Sequence, residues 1–182
     1  IAHIKGWVVV VDNTFASPIL QRPLELGADI VVHSTTKYIA GHSDLIGGCV
    51  ITRNKEIHAE LKFLQNALGA IPSPLDCFLT LRSIRTLALR IERHCDNAER
   101  LVEKLANHPK VTRLIYPGLK SHNSHEIAKK QMSRFGGMFS LEVVGGEDGA
   151  RKFASGTKLF ATGESLGGVE SLINHPWTMT HA

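Results

Sequence analysis

The sequence predicts an α/β fold, on three observations. Val8-Val9-Val10-Val11 and Ile30-Val31-Val32 are short β-branched runs without alternation, the pattern of parallel strands covered on both faces. Ser17 to Gly27 lies between them, with Pro23 inside and Gly27 at its end, and reads as a short crossover helix. Such a connection, roughly a dozen residues, is about the minimum for a right-handed βαβ unit. From Leu75 onward, Phe78, Leu79, Leu81, Ile84, Leu87, Ala88 and Ile91 recur at helical spacing, and the pattern extends through Leu105.

The remaining elements follow in chain order. Gly41 to Gly48 reads as a loop and Cys49 to Thr52 as a strand. Asn54 is placed to cap a helix that runs to about Leu68 and stops at Gly69. Ile71-Pro72-Ser73-Pro74 breaks the pattern before the long helix, whose length suggests a bridge between domains and whose far end is marked by Pro109. Val111 to Tyr116 and Gly137 to Val144 read as strands, Glu147 to Gly156 as a helix, and Leu159-Phe160 as the approach to a loop over Gly163 to Gly168. Residues 1–80 are therefore expected to form part of a larger α/β domain with a mostly parallel sheet. Residues 81–182 supply the linking helix and part of a smaller α+β domain.

Composition narrows the function classes. With 182 residues, 43% of them hydrophobic, the chain has enough apolar content for a buried core. The net charge of +4 is dispersed, without a block of five like charges or interleaved aromatics, so nucleic acid is not an expected partner. Cys49, Cys77 and Cys95 are odd in number and widely spaced, which speaks for a reducing, cytoplasmic compartment rather than a disulfide scaffold. No run has membrane-spanning length, and no secretory signal is visible. The sequence opens without methionine, and Ile1 leads almost at once into a strand run, so a piece of a longer protein is expected.

In open α/β sheets ligands gather beyond the carboxyl ends of the strands. Asp12 follows the first run, and Ser34, Thr36 and Lys37 follow the second. A carboxylate, hydroxyls and a lysine are the groups that pyridoxal 5'-phosphate requires, for its ring nitrogen, its phosphate and its aldehyde. An extended chain beyond the second strand would turn the Ser34 and Thr36 hydroxyls to one side. Taken singly, each has a plainer reading: Lys37 as a solvated lysine, Asp12-Asn13 as turn chemistry. Only the combination carries the cofactor reading. His122-x-x-His125 has metal-like spacing, but no carboxylate pattern completes it, and no metal is expected. Glu164-Ser165 with His175 lacks a G-x-S-x-G elbow, so serine hydrolysis is not expected either.

Longer motifs add a resemblance. V-V-V-D-N-T-F at Val9 to Phe15, L-Q-R-P-L-E-L-G-A-D at Leu20 to Asp29 and H-S-T-T-K-Y-I-A-G-H-S-D at His33 to Asp44 are followed by F-L-Q-N-A-L-G-A-I-P-S-P-L-D at Phe63 to Asp76. Y-P-G-L at Tyr116 to Leu119, E-S-L-G-G-V-E-S-L-I at Glu164 to Ile173 and H-P-W-T-M-T-H-A at His175 to Ala182 complete the series. In this order they resemble the transsulfuration family, the pyridoxal-phosphate enzymes of cysteine and methionine metabolism. The resemblance implies part of the large domain of the aspartate aminotransferase type I fold. It implies Lys37 as the Schiff-base lysine, Asp12 as partner of the pyridine nitrogen, and Ser34 and Thr36 as phosphate-side donors. Ser165 matches a serine near the substrate carboxylate. Glu164 stands where cystathionine-handling members have glutamate and methionine γ-lyases usually have an apolar residue. The implied activity is γ-elimination of cystathionine, with γ-replacement on an acylated homoserine or methionine γ-elimination as alternatives. A homotetrameric parent is also implied, as is a glycine-rich phosphate loop, a ring-stacking tyrosine and a substrate-binding arginine outside this stretch. The non-enzymatic alternative is a catalytically incomplete fragment.

Overall fold

A computed structural model describes residues 2–180. The chain divides into two compact units, Ile1–Ala88 and Leu89–Ala182.

The first unit is built on a three-stranded sheet in the order β1 (Val10–Asp12), β2 (Ile30–Ser34), β3 (Gly48–Thr52). β1 and β2 are parallel, with Val10 opposite Ile30, Val11 opposite Val31 and Asp12 opposite Val32. β3 joins the other side of β2 antiparallel, and an antiparallel edge strand is common on such sheets. The crossover is not one helix but two short turns, α1 (Ser17–Leu20) and a 3-10 turn over Pro23–Glu25. Arg22, which precedes the proline, lies outside the helical region (φ −123°, ψ 81°), as the clash with a proline ring requires.

α2 (Lys55–Leu68) begins and ends where its caps dictate. The Asn54 side chain accepts the N–H groups of Glu56 and Ile57, and Gly69 takes the left-handed conformation (φ +70°) that ends the helix. The expected helix from Leu75 to Leu105 is two: α3 (Pro74–Ile84), capped by Ser73, and α4 (Leu87–Leu105). The break at Arg85-Thr86 has a local cause. Thr86 gives both its N–H (3.1 Å) and its hydroxyl (3.2 Å) to the Ser83 carbonyl, so the helical ladder is not continued.

In the second unit α4 buries Ile91, Cys95, Ala98 and Val102, a stripe at spacings of three and four. Ala98, Val102 and Tyr116 form the centre of its core, with Leu114, Leu119, Phe135 and Phe139 packed around them. β4 (Val111–Ile115) pairs antiparallel with β5 (Ser140–Val143), which starts later than the Gly137 expected. α5 (His125–Gln131) has no counterpart among the expected elements, and α6 (Gly146–Ser155) matches its expectation to within a residue at each end. β6 (Ala161–Thr162) and β7 (Leu172–Ile173) form a short parallel pair, and α7 (Pro176–Met179) follows. The last two residues of the H-P-W-T-M-T-H-A motif, His181 and Ala182, lie outside the described residues.

Candidate active site

Side chains alternate between the faces of a sheet, so the register decides which groups share a side. Asp12 lies opposite Val32, and Ser34 is two residues further along β2, so Asp12 and Ser34 share one face. That face is open: Val10 is 55% and Val50 52% exposed, and Asp12 is exposed at the strand end. The opposite face holds Val31 and His33, both buried.

The end of β1 is fixed by its own turn. Asn13 gives its N–H to the Val32 carbonyl (2.9 Å), while its buried amide Nδ2 donates to the carbonyls of Ser17 (3.1 Å) and Gln21 (2.9 Å). Thr14 donates its N–H to Asp12 Oδ1 (3.0 Å), and its Oγ1 accepts the N–H of Ser34 (2.8 Å). The Asp12 carboxyl is held below the usual carboxylate range, first by the Thr14 hydroxyl, then by the Thr14 N–H, with His33 adding a little and burial opposing. Burial holds His33 below the ordinary imidazole range, offset in part by Asp12, and its Nδ1 has no hydrogen-bond partner among the described residues.

Beyond Ser34 the chain does not stay extended. Thr35–Ile39 coils into a wide turn, interrupted at Lys37, whose backbone leaves the helical region (φ −91°, ψ −126°). Simple alternation of Ser34 and Thr36 therefore fails as the reason for their placement. Thr36 is instead clasped to Gly47: its Oγ1 accepts the Gly47 N–H (3.0 Å) and donates to the Gly47 carbonyl (3.3 Å). The Gly47 carbonyl also accepts the Thr35 N–H (2.9 Å), and a Cβ on Gly47 would lie 2.7 Å from Thr35 Oγ1. The far end of the turn is tied down by His42, whose Nδ1 lies 2.6 Å from the Ala40 carbonyl and 3.1 Å from the Ser83 hydroxyl of α3.

Asp12, Ser34, Thr36 and Lys37 thus gather at the carboxyl ends of two adjacent strands of the first unit. Glu164 and Ser165 belong to the second unit, in the bend between β6 and β7, where both are exposed. Ser165 has φ +81°, a left-handed conformation that costs a residue with a side chain on the order of 1–2 kcal/mol. His122 and His125 do not assemble a metal site. His122 Nδ1 accepts the Ser124 N–H, His125 Nδ1 bonds the Pro117 carbonyl, and no group of three ligating side chains forms among the described residues.

The supporting residues Thr14, Asn13, His33 and Gly47 were not legible as site residues. Thr14 meets Ser34 across twenty positions of sequence. The one local signal was Asp-Asn-Thr at a strand end, which reads as turn chemistry.

Residues 1–182 match the family of Cys/Met metabolism PLP-dependent enzymes. The chain belongs to that family. It is 58% identical to a cystathionine γ-lyase of Dictyostelium discoideum, over 99% of this chain and 46% of that protein. It is 57% identical to a cystathionine β-lyase of Coxiella burnetii, over 100% of this chain and 47% of the relative. The crystal structure of cystathionine γ-synthase from Xanthomonas oryzae pv. oryzae, in complex with aminoacrylate and cysteine, superimposes with a TM-score of 0.96 at 52% identity, over 99% of this chain and 46% of that one. The fold is thus part of the type I fold of PLP-dependent enzymes. The chain spans about half the length of the relatives it matches, and those relatives carry out different reactions at nearly equal identity.

Pyridoxal 5'-phosphate is the cofactor of the family, and the donor set fits it. An ionised carboxylate suits a cationic ring nitrogen, the Ser34 hydroxyl suits a phosphate, as does that of Thr36 once released from the Gly47 carbonyl, and Lys37 supplies a primary amine. Among the described residues, no helix is long and apolar enough to cross a membrane.

Proposed function

We propose that the protein to which this chain belongs is a cystathionine γ-lyase, converting cystathionine and water to cysteine, 2-oxobutanoate and ammonia. The observation that carries the cofactor half of this reading is the register of β1 on β2, with Asp12 and Ser34 on one open face and Lys37 in the turn that follows. When bound, pyridoxal phosphate supplies an electron sink for the charge left at the substrate α-carbon.

The residues of this chain divide the remaining work. Asp12, held as a carboxylate, would hold the ring-nitrogen end of the cofactor and favour its protonated form, because an opposite charge at close range stabilises the charged state. Ser34 and Thr36 orient the phosphate. Lys37 would hold the cofactor through its amine, and its Nζ is the group placed to take the substrate α-proton as general base. Ser165 meets the substrate carboxylate, and its φ of +81° is the kind of backbone strain that functional loops retain. Glu164 pairs with the distal ammonium of cystathionine. The parent is a cytoplasmic homo-oligomer, a tetramer by the family resemblance, acting on a small amino acid.

Glu164 separates this reading from methionine γ-elimination, though not from γ-replacement by a synthase. A substrate panel on the full-length protein should favour γ-elimination of cystathionine over methionine, and over γ-replacement on an acylated homoserine. Glu164→Val should shift preference towards methionine. Unchanged relative rates in that variant would remove Glu164 from substrate recognition and leave the methionine reading level with this one.

A further inference from the structure

We propose that Thr14 is a positioning residue of the cofactor site, the link through which the Ser34 end of the site orients and holds the Asp12 carboxylate. This rests on the roles proposed above for Asp12 and Ser34.

Thr14 is buried, 6% exposed, so its hydroxyl has little water to turn to. A threonine hydroxyl offers one proton and two lone pairs. One lone pair is occupied by the N–H of Ser34 at 2.8 Å, a contact that crosses from the β1 turn to the end of β2 and fixes the side-chain rotamer. The proton is thereby turned away from Ser34. The acceptor on offer is the Asp12 carboxylate two residues back, already held by the Thr14 N–H at 3.0 Å. Of the effects that keep Asp12 ionised, the Thr14 hydroxyl is the first and the Thr14 N–H the second. The titratable neighbour acting on Asp12 is His33, reaching it from β2, and its effect is the smallest of those that lower the carboxyl. Lys37 follows beyond the end of that strand.

The consequence is a coupling between two ends of one ligand. A carboxylate that partners a cationic ring nitrogen must be both ionised and aimed. Valine at 14 would keep the shape and remove the donor, leaving the Ser34 N–H without its acceptor as well. Serine would keep the hydroxyl, and with it the acceptor of the Ser34 N–H.

The test is an NMR titration of the Asp12 carboxyl in the cofactor-free, full-length protein, paired with pyridoxal-phosphate binding followed by absorbance. Thr14→Val should make Asp12 titrate at higher pH than in the parent protein and weaken cofactor binding roughly tenfold, the scale of one hydrogen bond to a charged group. Thr14→Ser should restore both. Thr14→Ala, which puts no apolar methyl against the strand end, carries the expectation of the valine variant should that variant fail to fold. An Asp12 titration unmoved in the valine or alanine variant overturns the proposal. A moved titration with unchanged binding and cofactor spectrum upholds the link between Thr14 and Asp12 and overturns, separately, the role of Asp12 at the ring nitrogen.

Discussion

The two units bury different chemistry. The buried polar residues of the described chain, Asn13, Thr14, Ser17, His33, Thr35 and Ser83, all fall in the first unit. The buried residues of the second, from Ile91 and Cys95 to Ala128 and Ala154, are apolar apart from the hydroxyl of Tyr116, which donates to the Gly136 carbonyl at 3.0 Å. Buried polar groups cost stability unless they are bonded, so a unit that concentrates them is spending its interior on directional contacts. Those contacts surround the ends of β1 and β2, where Asp12 and Lys37 stand. The second unit is held in the ordinary way, by an amphipathic helix on a two-stranded sheet, with Arg134 bridging Asp96 and Glu99 at its surface.

Substitutions in the two units should therefore fail in opposite ways. Lys37→Ala should abolish nearly all turnover and the yellow absorbance of the bound cofactor while leaving the melting temperature of the cofactor-free protein almost unchanged. Borohydride-sensitive absorbance retained in that variant would refute Lys37 as the anchor. Ile91→Ala, at a position 1% exposed, should cost about 2–5 kcal/mol of stability in denaturant unfolding, with cofactor spectrum and substrate preference intact in the folded fraction. Asn13→Ala sharpens the contrast because it should do some of each. It removes two donors from buried carbonyls, about 1–3 kcal/mol by thermal melt, and loosens the turn that carries Asp12, so cofactor retention on dialysis should fall with it.

The smallest effect is a pH slope. Burial lowers the pKa of His33, so the folded protein binds that proton less well than the unfolded chain. Its contribution is complete above the ordinary imidazole value of 6.5 and is lost as pH falls from there towards the folded pKa. His94 in the second unit is lowered in the same direction, by burial and by Arg90, so both units share this acid sensitivity. Asp12 acts in a separate window: its stabilising contribution is present above 3.8 and lost below it. His33→Gln should flatten the decline in melting temperature on acidification from neutral pH. A slope unchanged by that substitution would show that the buried imidazole is not its source.

Much of the first unit could be read from residue types alone. The β-branched runs gave β1 and β2, and Asn54 and Gly69 bounded α2, because caps act through their immediate neighbours. The break between α3 and α4 carries no glycine or proline to mark it; a threonine bonding back to Ser83 makes it. β6 and β7 are two residues each, too short for any periodicity to register. At the candidate site, Asp12, Ser34, Thr36 and Lys37 were visible as chemical types. What holds them was not, because Thr14 to Ser34 and Thr36 to Gly47 are contacts made by the fold, across twenty and eleven positions. The turn at Thr35 likewise overrode the alternation from which the two hydroxyls had been expected to align.

Gly47 gives this arrangement its point of closure. The clasp on Thr35 and Thr36 is made by one residue at the far end of the 41–46 segment, whose own start is held by His42 against Ala40 and Ser83 and whose Leu45 is buried. Replacing the glycine itself would drive a methyl into Thr35 Oγ1. Position 47 is thus one where almost no side chain is permitted.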